Sequence, residues 1–323
     1  MPHVVEVKDL RRDFVVSQGF LGLKKKTINA VKGISFSVNQ GEIFGLLGQN
    51  GAGKTTTIKM LITMLAPTSG TCKVLGYEAF GNEKMIRPYI NFIFGGEYGL
   101  YRRLSARDNL KYFANLYKIS ANIRDKRINE LLELLEISDK ADLPIETFSK
   151  GMTQRIHIAR GLINSPQILF MDEPTIGLDP VGAKVLRKII KDINNLGTTV
   201  LLTTHNMYEV DELCNTIAII KEGELLALDT PERIKSEVSG SNVFVIELKT
   251  CPPDIINKIY SIEGVTEVAV SDIEIGTTIR ISCKPNSHIY SNVLEMVNPN
   301  DIISFKKDEI TLEDAYIQLV KRQ

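Results

Sequence analysis

The segment GQNGAGKTT, residues 48–56, lies between an apolar run that ends at Leu47 and a segment of helical periodicity that begins near Ile58. Its glycines allow the backbone to curl so that successive N–H groups point inward, and a helix starting near Lys54 would add the positive end of its dipole. A strand, a GxxxxGK[ST] loop and a helix in this order are typical of a phosphate-binding loop. The segment therefore predicts a unit that binds a nucleotide through its phosphates rather than a structural turn.

The polar side chains of this loop have separate expected tasks. Lys54 can reach the β- and γ-phosphates of a nucleoside triphosphate, the Thr55 hydroxyl is placed for Mg²⁺, and Thr56 for a neighbouring phosphate oxygen. The residues expected to bind the nucleotide in this segment are Gly48, Asn50, Gly51, Ala52, Gly53, Lys54, Thr55 and Thr56.

A second segment, ILFMDE at residues 168–173, is an apolar strand that ends in two carboxylates. Asp172 can hold Mg²⁺ through water. Because neighbouring residues on a strand point to opposite faces, Glu173 is aimed differently and can polarise a water for attack on the γ-phosphate. The alternative, an acidic strand end facing solvent, would be preferred only if the phosphate-binding loop were absent.

Residues 1 to about 230 alternate short apolar strands with longer amphipathic segments, a pattern that favours an α/β domain with a largely parallel sheet. The predicted strands are Ile43 to Leu47, Ile168 to Met171, Val200 to Thr203 and Ile217 to Ile220. Apolar spacing of three and four residues predicts helices over Asp108 to Tyr117 and Asp125 to Glu136. These two helices form an expected helical insertion.

The pattern restarts after a small polar stretch, residues 236–242, which has the composition of a linker. Short strands and helices then alternate in an order that predicts a small α+β module of ferredoxin-like type. The predicted strands of this module are Val243 to Leu248, Val265 to Val270, Thr278 to Ser282 and Ile302 to Phe305; the predicted helices are Ile255 to Tyr260, Ile289 to Val297 and Thr311 to Val320. We find no catalytic constellation in it.

Charge and cysteine content limit the classes of partner. The 323 residues include 39 basic and 39 acidic side chains, so no overall field favours nucleic acid, and no nucleic-acid partner is expected. The four cysteines lack the spacing of a zinc site or a dense disulfide framework and are expected to be reduced. No apolar run approaches the roughly 18 residues that a membrane span needs.

Further segments, taken with the two above, resemble the nucleotide-binding subunit of ATP-binding cassette (ABC) transporters. Residues 148–155, FSKGMTQR, resemble that family's signature motif; Ser149 is an apt N-cap for a helix through Ile163. Leu178-Asp179 matches the D-loop, and His205 matches the switch histidine that contacts the γ-phosphate. Phe14 occupies the place of the aromatic residue that stacks on adenine, although a lone phenylalanine after a strand is often a core residue.

This resemblance implies a P-loop NTPase fold of the ABC type, with a mixed sheet and a helical insertion over residues 1–235, followed by an accessory α+β domain over residues 243–323. It implies ATP and Mg²⁺ as ligands, with Glu173, His205 and Lys54 as catalytic groups and Thr55 and Asp172 at the metal. It also implies a head-to-tail dimer, more often of identical than of different cassettes, in which Ser149, Gly151 and Asp179 of one subunit complete the other's site.

The accessory module is similar to the one that follows drug-exporter cassettes, which work with a separate ABC-2 permease at the cytoplasmic face of the cell membrane. Export of a drug, antibiotic or other amphiphile is therefore expected. A cassette that acts without a permease, as a regulatory module or a nucleotide clamp, is the alternative. Translation-type members with two cassettes and DNA-maintenance types with long coiled coils fit the chain less well.

One departure from the family concerns the Q-loop, where a glutamine is expected and Gly96 stands. Glycine has no amide side chain to reach Mg²⁺ or the attacking water, and Glu97 lacks the donor that glutamine has. We expect a water to fill the gap. The following segment, Tyr98 to Arg103, is expected to face the permease, with an internally packed loop as the alternative.

Overall fold

The computed structural model describes residues 2–18, 24–95, 99–238, 242–252, 254–273, 276–284, 289–308 and 311–321. The chain divides into two compact units, Met1–Pro231 and Glu232–Gln323. Among the residues described, no helix is both long and apolar enough to cross a membrane.

The first unit contains two β-sheets. Its strands are β1 (His3–Gln18), β2 (Lys24–Asn39), β3 (Ile43–Leu47), β4 (Ser69–Val74), β5 (Tyr77–Glu78), β6 (Ile90–Phe94), β7 (Ile168–Asp172), β8 (Thr199–Thr204), β9 (Thr216–Lys221) and β10 (Glu224–Asp229). An antiparallel sheet has the order β2-β1-β4-β5, and a six-stranded sheet has the order β10-β9-β3-β8-β7-β6. Every pair in the larger sheet is parallel except β9 with β10, so the expected mixed sheet is confirmed.

The helices of the first unit are α1 (Lys54–Leu61), α2 (Glu83–Ile86), α3 (Ala106–Leu116), α4 (Ala121–Leu134), α5 (Lys150–Leu162), α6 (Pro180–Asn195) and α7 (Met207–Leu213); α8 (Pro231–Val238) begins at the last residue of that unit and continues into the second. The two predicted helices of the insertion exist as α3 and α4, but both begin and end earlier than expected. Ser105 caps α3 by accepting a hydrogen bond from the Asp108 amide. Lys118 and Glu136, with φ of 58° and 53°, end the two helices because a left-handed residue cannot continue an α-helix.

The parallel strands of the larger sheet bring their carboxyl ends to one edge of the first unit. All residues of β3 and β8 are buried, as is typical of parallel strands covered on both faces. Register pairs Leu47 with Thr204 and Asp172 with Thr203. The carboxyl ends of β3, β7 and β8 therefore lie side by side, and the loops that follow them meet there.

The second unit contains β11 (Asn242–Leu248), α9 (Ile255–Tyr260), β12 (Val265–Ile273), β13 (Gly276–Cys283), α10 (Ile289–Met296), β14 (Ile302–Asp308) and α11 (Leu312–Lys321). Its sheet has the order β12-β13-β11-β14 with antiparallel pairs throughout. This order and the βαββαβ succession are those of a ferredoxin-like fold. Buried residues of α9 and α10 pack on one face of the sheet, including Ile255, Ile259, Ile289 and Val293.

Helix α5 buries a histidine whose protonation opposes folding. His157 is 1% exposed, and neither ring nitrogen has a hydrogen-bond partner. Burial, assisted by the nearby positive charge of Arg160, lowers the pKa of His157 from 6.5 to about 4. The imidazole is therefore neutral in the folded protein over a pH range in which the unfolded chain binds a proton.

We expect the free energy of unfolding to decrease as the pH is lowered from 6.5 to 4, because unfolding lets His157 take up that proton. In the His157→Leu variant, the loss in the free energy of unfolding over this pH range should be smaller by about 3 kcal/mol. Urea unfolding of both proteins across this pH range measures the difference. His3→Leu, at an exposed position, is the matched control and should behave as the wild type. Parallel curves for the wild type and His157→Leu would contradict the prediction.

Candidate functional site

The loop between β3 and α1 has the backbone that its glycines predict. Gly51 and Gly53 have φ of 84° and 103°, which other residues rarely adopt. A Cβ at Gly53 would lie 2.4 Å from the Ala30 carbonyl oxygen, and one at Gly48 would lie 2.3 Å from that of Ile220. The loop is thus packed against β2 and β9, while Asn50 and Gly51 are exposed at its tip and Ala52 is buried.

Lys54 is the first residue of α1, and its side chain turns back into this loop. The Lys54 ammonium donates to the carbonyl oxygens of Gly48 at 2.6 Å and Gln49 at 3.2 Å. The ammonium also lies 3.3 Å from Glu173 Oε1, and the side chain is only 5% exposed. A buried cation thus lies inside the curve of the loop. Helix α1, which follows the loop, has no acidic residue in its first turn. This arrangement suits an anion.

Thr55 meets the end of β7 as the sequence predicts. Its hydroxyl lies 3.0 Å from Asp172 Oδ1 and 2.9 Å from Oδ2. The Thr203 hydroxyl, from the neighbouring strand β8, also donates to Asp172 Oδ1. The carboxylate is therefore held between two hydroxyls at the edge of the sheet. Thr56 follows in the first turn of α1 and is half-buried.

Glu173 joins Lys54 to His205. Its Oε2 lies 2.8 Å from His205 Nδ1, while Oε1 faces the Lys54 ammonium. The sequence-based reason for its direction is wrong: β7 ends at Asp172, so Glu173 is not on the strand. Its φ of 50° instead turns the chain, and the Glu173 amide donates to the Thr203 carbonyl at 3.0 Å. A left-handed glutamate at a site is a strained feature of the kind found where geometry serves chemistry.

The signature segment begins helix α5 where expected, although this helix ends at Leu162 rather than Ile163. Ser149 is its N-cap, and the Ser149 hydroxyl accepts from the Met152 amide at 3.2 Å. Gly151 follows in the first turn, and beyond its chain neighbours and the backbone of its own helix no atom lies within 4 Å of a Cβ placed on it. Among the described residues, no hydrogen bond or ion pair joins Ser149 or Gly151 to the Lys54–Glu173–His205 cluster.

Asp179 has a local role within its own chain. It is the N-cap of α6, where Oδ1 accepts from the Gly182 amide at 2.6 Å and Pro180 takes the first helical position. Ile176, three residues before Asp179, is exposed. The D-loop segment thus follows Glu173 directly and presents an apolar side chain to its surroundings.

Phe14 lies on β1 and is half-buried, not part of the packed core. It pairs with Ile28 of β2, close to Ala30, the residue against which Gly53 packs. The Arg12 guanidinium lies 4.7 Å from the centre of the Phe14 ring. Phe14 is therefore on the strand that pairs with the part of β2 packed against the loop, and its ring is covered by Arg12.

Other predicted positions are only partly described. Gly96, Glu97 and Tyr98 lie outside the described residues, so the Q-loop expectation stays a prediction. Tyr101 is 48% exposed, and its ring contacts the ring of Tyr112 edge-on at 4.8 Å. Sequence analysis missed Thr203, although its place near the end of an apolar strand could have indicated a residue at the same sheet edge.

Comparisons with known proteins agree with this geometry. Residues 31–176 match the family described as ABC transporter. The linearmycin resistance ATP-binding protein LnrL of Bacillus subtilis is 36% identical over 300 residues, which cover 92% of this chain and 95% of the relative. The chain belongs to the ATP-binding proteins of ABC transporters. The predicted family and fold are thus confirmed, and this ABC protein is an ATPase cassette.

Two further likenesses each cover about two thirds or more of this ABC protein. A fluoroquinolones export ATP-binding protein of Mycobacterium tuberculosis is 41% identical over 218 residues, covering 67% of this chain and 70% of the relative. The solved structure of cbiO1 from Clostridium perfringens, described as part of an ABC transporter complex, superposes with a TM-score of 0.64 and 26% identity. That superposition covers 74% of this ABC protein and 92% of cbiO1.

Proposed function

We propose that this chain powers export of a drug, antibiotic or other amphiphile through a separate membrane permease. The observation that carries the proposal is the cluster at the sheet edge, where Lys54, Glu173 and His205 meet beside the Thr55–Asp172 pair. The direction of transport and the class of cargo are supported by the names of the linearmycin resistance and fluoroquinolones export relatives.

The residues at the edge have the chemistry that hydrolysis of ATP needs. Lys54 exchanges the carbonyls of Gly48 and Gln49 for β- and γ-phosphate oxygens, and this exchange frees Glu173 from its ion pair. Glu173 then accepts a proton from the attacking water, because a positioned carboxylate can act as general base. His205, hydrogen-bonded to Glu173, orients that carboxylate and faces the γ-phosphate. Phe14 supplies a ring on which adenine stacks.

The donor set fits Mg²⁺, which prefers oxygen ligands. The Thr55 hydroxyl and the Asp172 carboxylate already meet within hydrogen-bond distance, so the two would hold the ion together. Mg²⁺ would neutralise phosphate charge during the transfer. Thr203 keeps the Asp172 carboxylate oriented by a hydrogen bond from the next strand.

A second cassette completes the proposed site. Ser149 is exposed at the positive end of α5, where an N-cap hydroxyl and the first-turn amides suit a phosphate. Because Ser149 and Gly151 have no contact with their own chain's cluster among the described residues, we propose that they close over the γ-phosphate of a partner copy, together with the D-loop at Asp179. A homodimer is the simplest arrangement, and ATP between the subunits joins them.

The permease is proposed to bind the first unit at the cytoplasmic face of the cell membrane. All residues of the cluster lie within Met1–Pro231, so we assign catalysis to residues 1–235. Residues 243–323 are proposed as an accessory domain. Tyr101, which follows the Q-loop closely in sequence, forms an exposed pair with Tyr112 of α3; this pair is the proposed apolar anchor, with Arg102 and Arg103 as rim charges.

Daunorubicin efflux from cells that produce the chain with its permease tests the proposal, since this drug is fluorescent. We expect efflux that ATP depletion abolishes. ATP hydrolysis by the purified chain is measured in parallel. Hydrolysis without efflux of this or any other amphiphile would overturn export but leave the ATPase assignment; a chain inactive in both assays would overturn the whole proposal.

Replacing Tyr101 with alanine should uncouple ATP hydrolysis by the chain from the permease. Loss of a central aromatic anchor typically costs about 2 kcal/mol of binding, or roughly 30-fold in affinity. We expect permease-stimulated ATPase activity to fall accordingly, while ATP binding by the isolated chain is unchanged. Tyr260→Ala, at an exposed tyrosine of the second unit, is the matched control. Loss of ATP binding in Tyr101→Ala would indicate a packing role instead.

A further inference from the structure

Helix α7 carries a buried glutamate close behind the site. The helix follows His205 directly, and Asn206 caps it by accepting hydrogen bonds from the amides of Tyr208 at 3.0 Å and Glu209 at 3.3 Å. The Glu209 side chain is 0% exposed, and neither of its carboxyl oxygens makes a hydrogen bond of ordinary length and angle. A buried carboxyl in this position requires a physical explanation.

The groups that face Glu209 come from several elements. Burial raises the pKa of Glu209, and the negative charge of Glu173 raises it further. The hydroxyls of Thr204 and Thr175 and the charge of Arg187 lower the same pKa, but burial is the largest cause. Cys214, at the other end of the helix, is a further titratable neighbour; burial raises the pKa of its thiol, and the charge of Glu209 raises it further.

Arg187 does not neutralise Glu209 by pairing with it. The Arg187 guanidinium donates to Glu212 Oε2 at 2.6 Å and lies 5.1 Å from the centre of the Tyr208 ring. Arg187 is therefore already paired with Glu212. A charged Glu209 would face the like charge of Glu173 in a dry environment, whereas a neutral carboxyl can both donate and accept one hydrogen bond.

The two hydroxyls beside Glu209 belong to the segments that carry the catalytic groups. Thr204 is the residue before His205, and its carbonyl oxygen accepts from the Gly48 amide at 3.4 Å. Thr175 is two residues after Glu173, in a turn closed by the hydrogen bond from the Ile176 amide to the Glu173 carbonyl at 3.2 Å. Glu209 therefore lies behind the turns that bring Glu173 and His205 together.

We propose that Glu209 is a positioning residue of the ATPase site: its buried carboxyl group links the Thr175 and Thr204 hydroxyls and holds the turns at Glu173 and His205 in their relative positions. The link keeps the Glu173 Oε2 to His205 Nδ1 contact at 2.8 Å and stabilises the left-handed turn at Glu173. This inference rests on the proposed hydrolytic role of Glu173.

Steady-state ATPase kinetics of Glu209→Ala, Glu209→Gln and Thr175→Val test the proposal. Glu209→Ala should lower kcat by about tenfold or more, because small misplacements of catalytic groups are costly, while KM for ATP changes less than about twofold. Glutamine has the same shape, a donor and an acceptor, so Glu209→Gln should retain most of the turnover. Thr175→Val should lower kcat in the wild type but add nothing to Glu209→Ala.

The possible failures are distinguishable. Equal loss in Glu209→Gln and Glu209→Ala would overturn the hydrogen-bonded link, as would an unchanged kcat in Glu209→Ala. A parallel loss of kcat, ATP affinity and melting temperature in Glu209→Ala, with Thr175→Val fully active, would make Glu209 a packing residue only. A wild-type chain that does not hydrolyse ATP would instead overturn the proposed function on which this inference rests.

Discussion

Replacing Glu173 with glutamine should lower the turnover of ATP by about 10²- to 10³-fold while leaving ATP affinity within a few-fold of the wild type. Glutamine keeps the shape of the side chain but cannot accept the proton of the attacking water, and general base catalysis is worth this much. The variant also removes a negative charge 3.3 Å from the Lys54 ammonium, so its phosphate affinity should not fall. Phosphate release and equilibrium binding of a fluorescent ATP analogue measure the two quantities.

Glu136→Gln is the matched control because Glu136 is also a left-handed glutamate, with φ of 53° against 50° for Glu173, but lies at the end of α4. Its turnover should equal that of the wild type. A Glu173→Gln protein that hydrolyses ATP normally would overturn the general base assignment. Light scattering adds a second readout: with Mg-ATP the slow variant should accumulate as a dimer, and a persistent monomer that binds ATP would overturn the homodimer.

The local sequence was sufficient to predict the phosphate-binding loop and the parallel strands. The loop is specified by Gly48, Gly51 and Gly53, since the backbone angles at Gly51 and Gly53 and the packing at Gly48 and Gly53 exclude larger residues. Strand β3 is a continuous apolar run and β8 contains the run Val200–Leu202. Such runs are typical of strands buried on both faces. Features that depend on one segment of chain were thus predictable in detail.

Features that depend on the order of the strands were not predictable locally. Strand β3 lies between β8 and β9, which follow it by more than a hundred residues. Only this order brings Thr203 to Asp172 and His205 to Glu173. The direction of Glu173 was assigned for the wrong reason, because a left-handed residue after a strand cannot be recognised from the alternation of side chains.

Glu209 was missed for a related reason. Helix α7 carries Tyr208, Asp211 and Glu212 beside it, so this stretch has the composition of a solvated surface. The helix nevertheless packs against β3 and β8, where Val210 and Leu213 are buried and Glu209 is turned inward with them. One polar residue on the apolar face of a short helix gives too weak a periodicity signal to be separated from its exposed neighbours.

Replacing Lys54 with alanine should lower ATP affinity by about 100-fold and bring turnover below detection. Each hydrogen bond between a charged group and a partner is worth about 1.5–3 kcal/mol, and the lost ammonium serves two phosphates, so a loss of about 3 kcal/mol is expected. The substitution also leaves Glu173 Oε1 and the Gly48 and Gln49 carbonyls without their buried cation. Equilibrium binding of the ATP analogue and phosphate release measure the effect.

Lys59→Ala is the matched control for the loss of one positive charge from the same helix. Lys59 lies in the last turn of α1 and is exposed, whereas Lys54 is the buried first residue. Both variants remove one positive charge from α1 and so change the electrostatic field near it, but only Lys54→Ala removes a group that is proposed to contact phosphate. We therefore expect Lys59→Ala to bind and hydrolyse ATP as the wild type does. Equal affinities of Lys54→Ala and Lys59→Ala would mean that the triphosphate does not bind within the curve of residues 48–56.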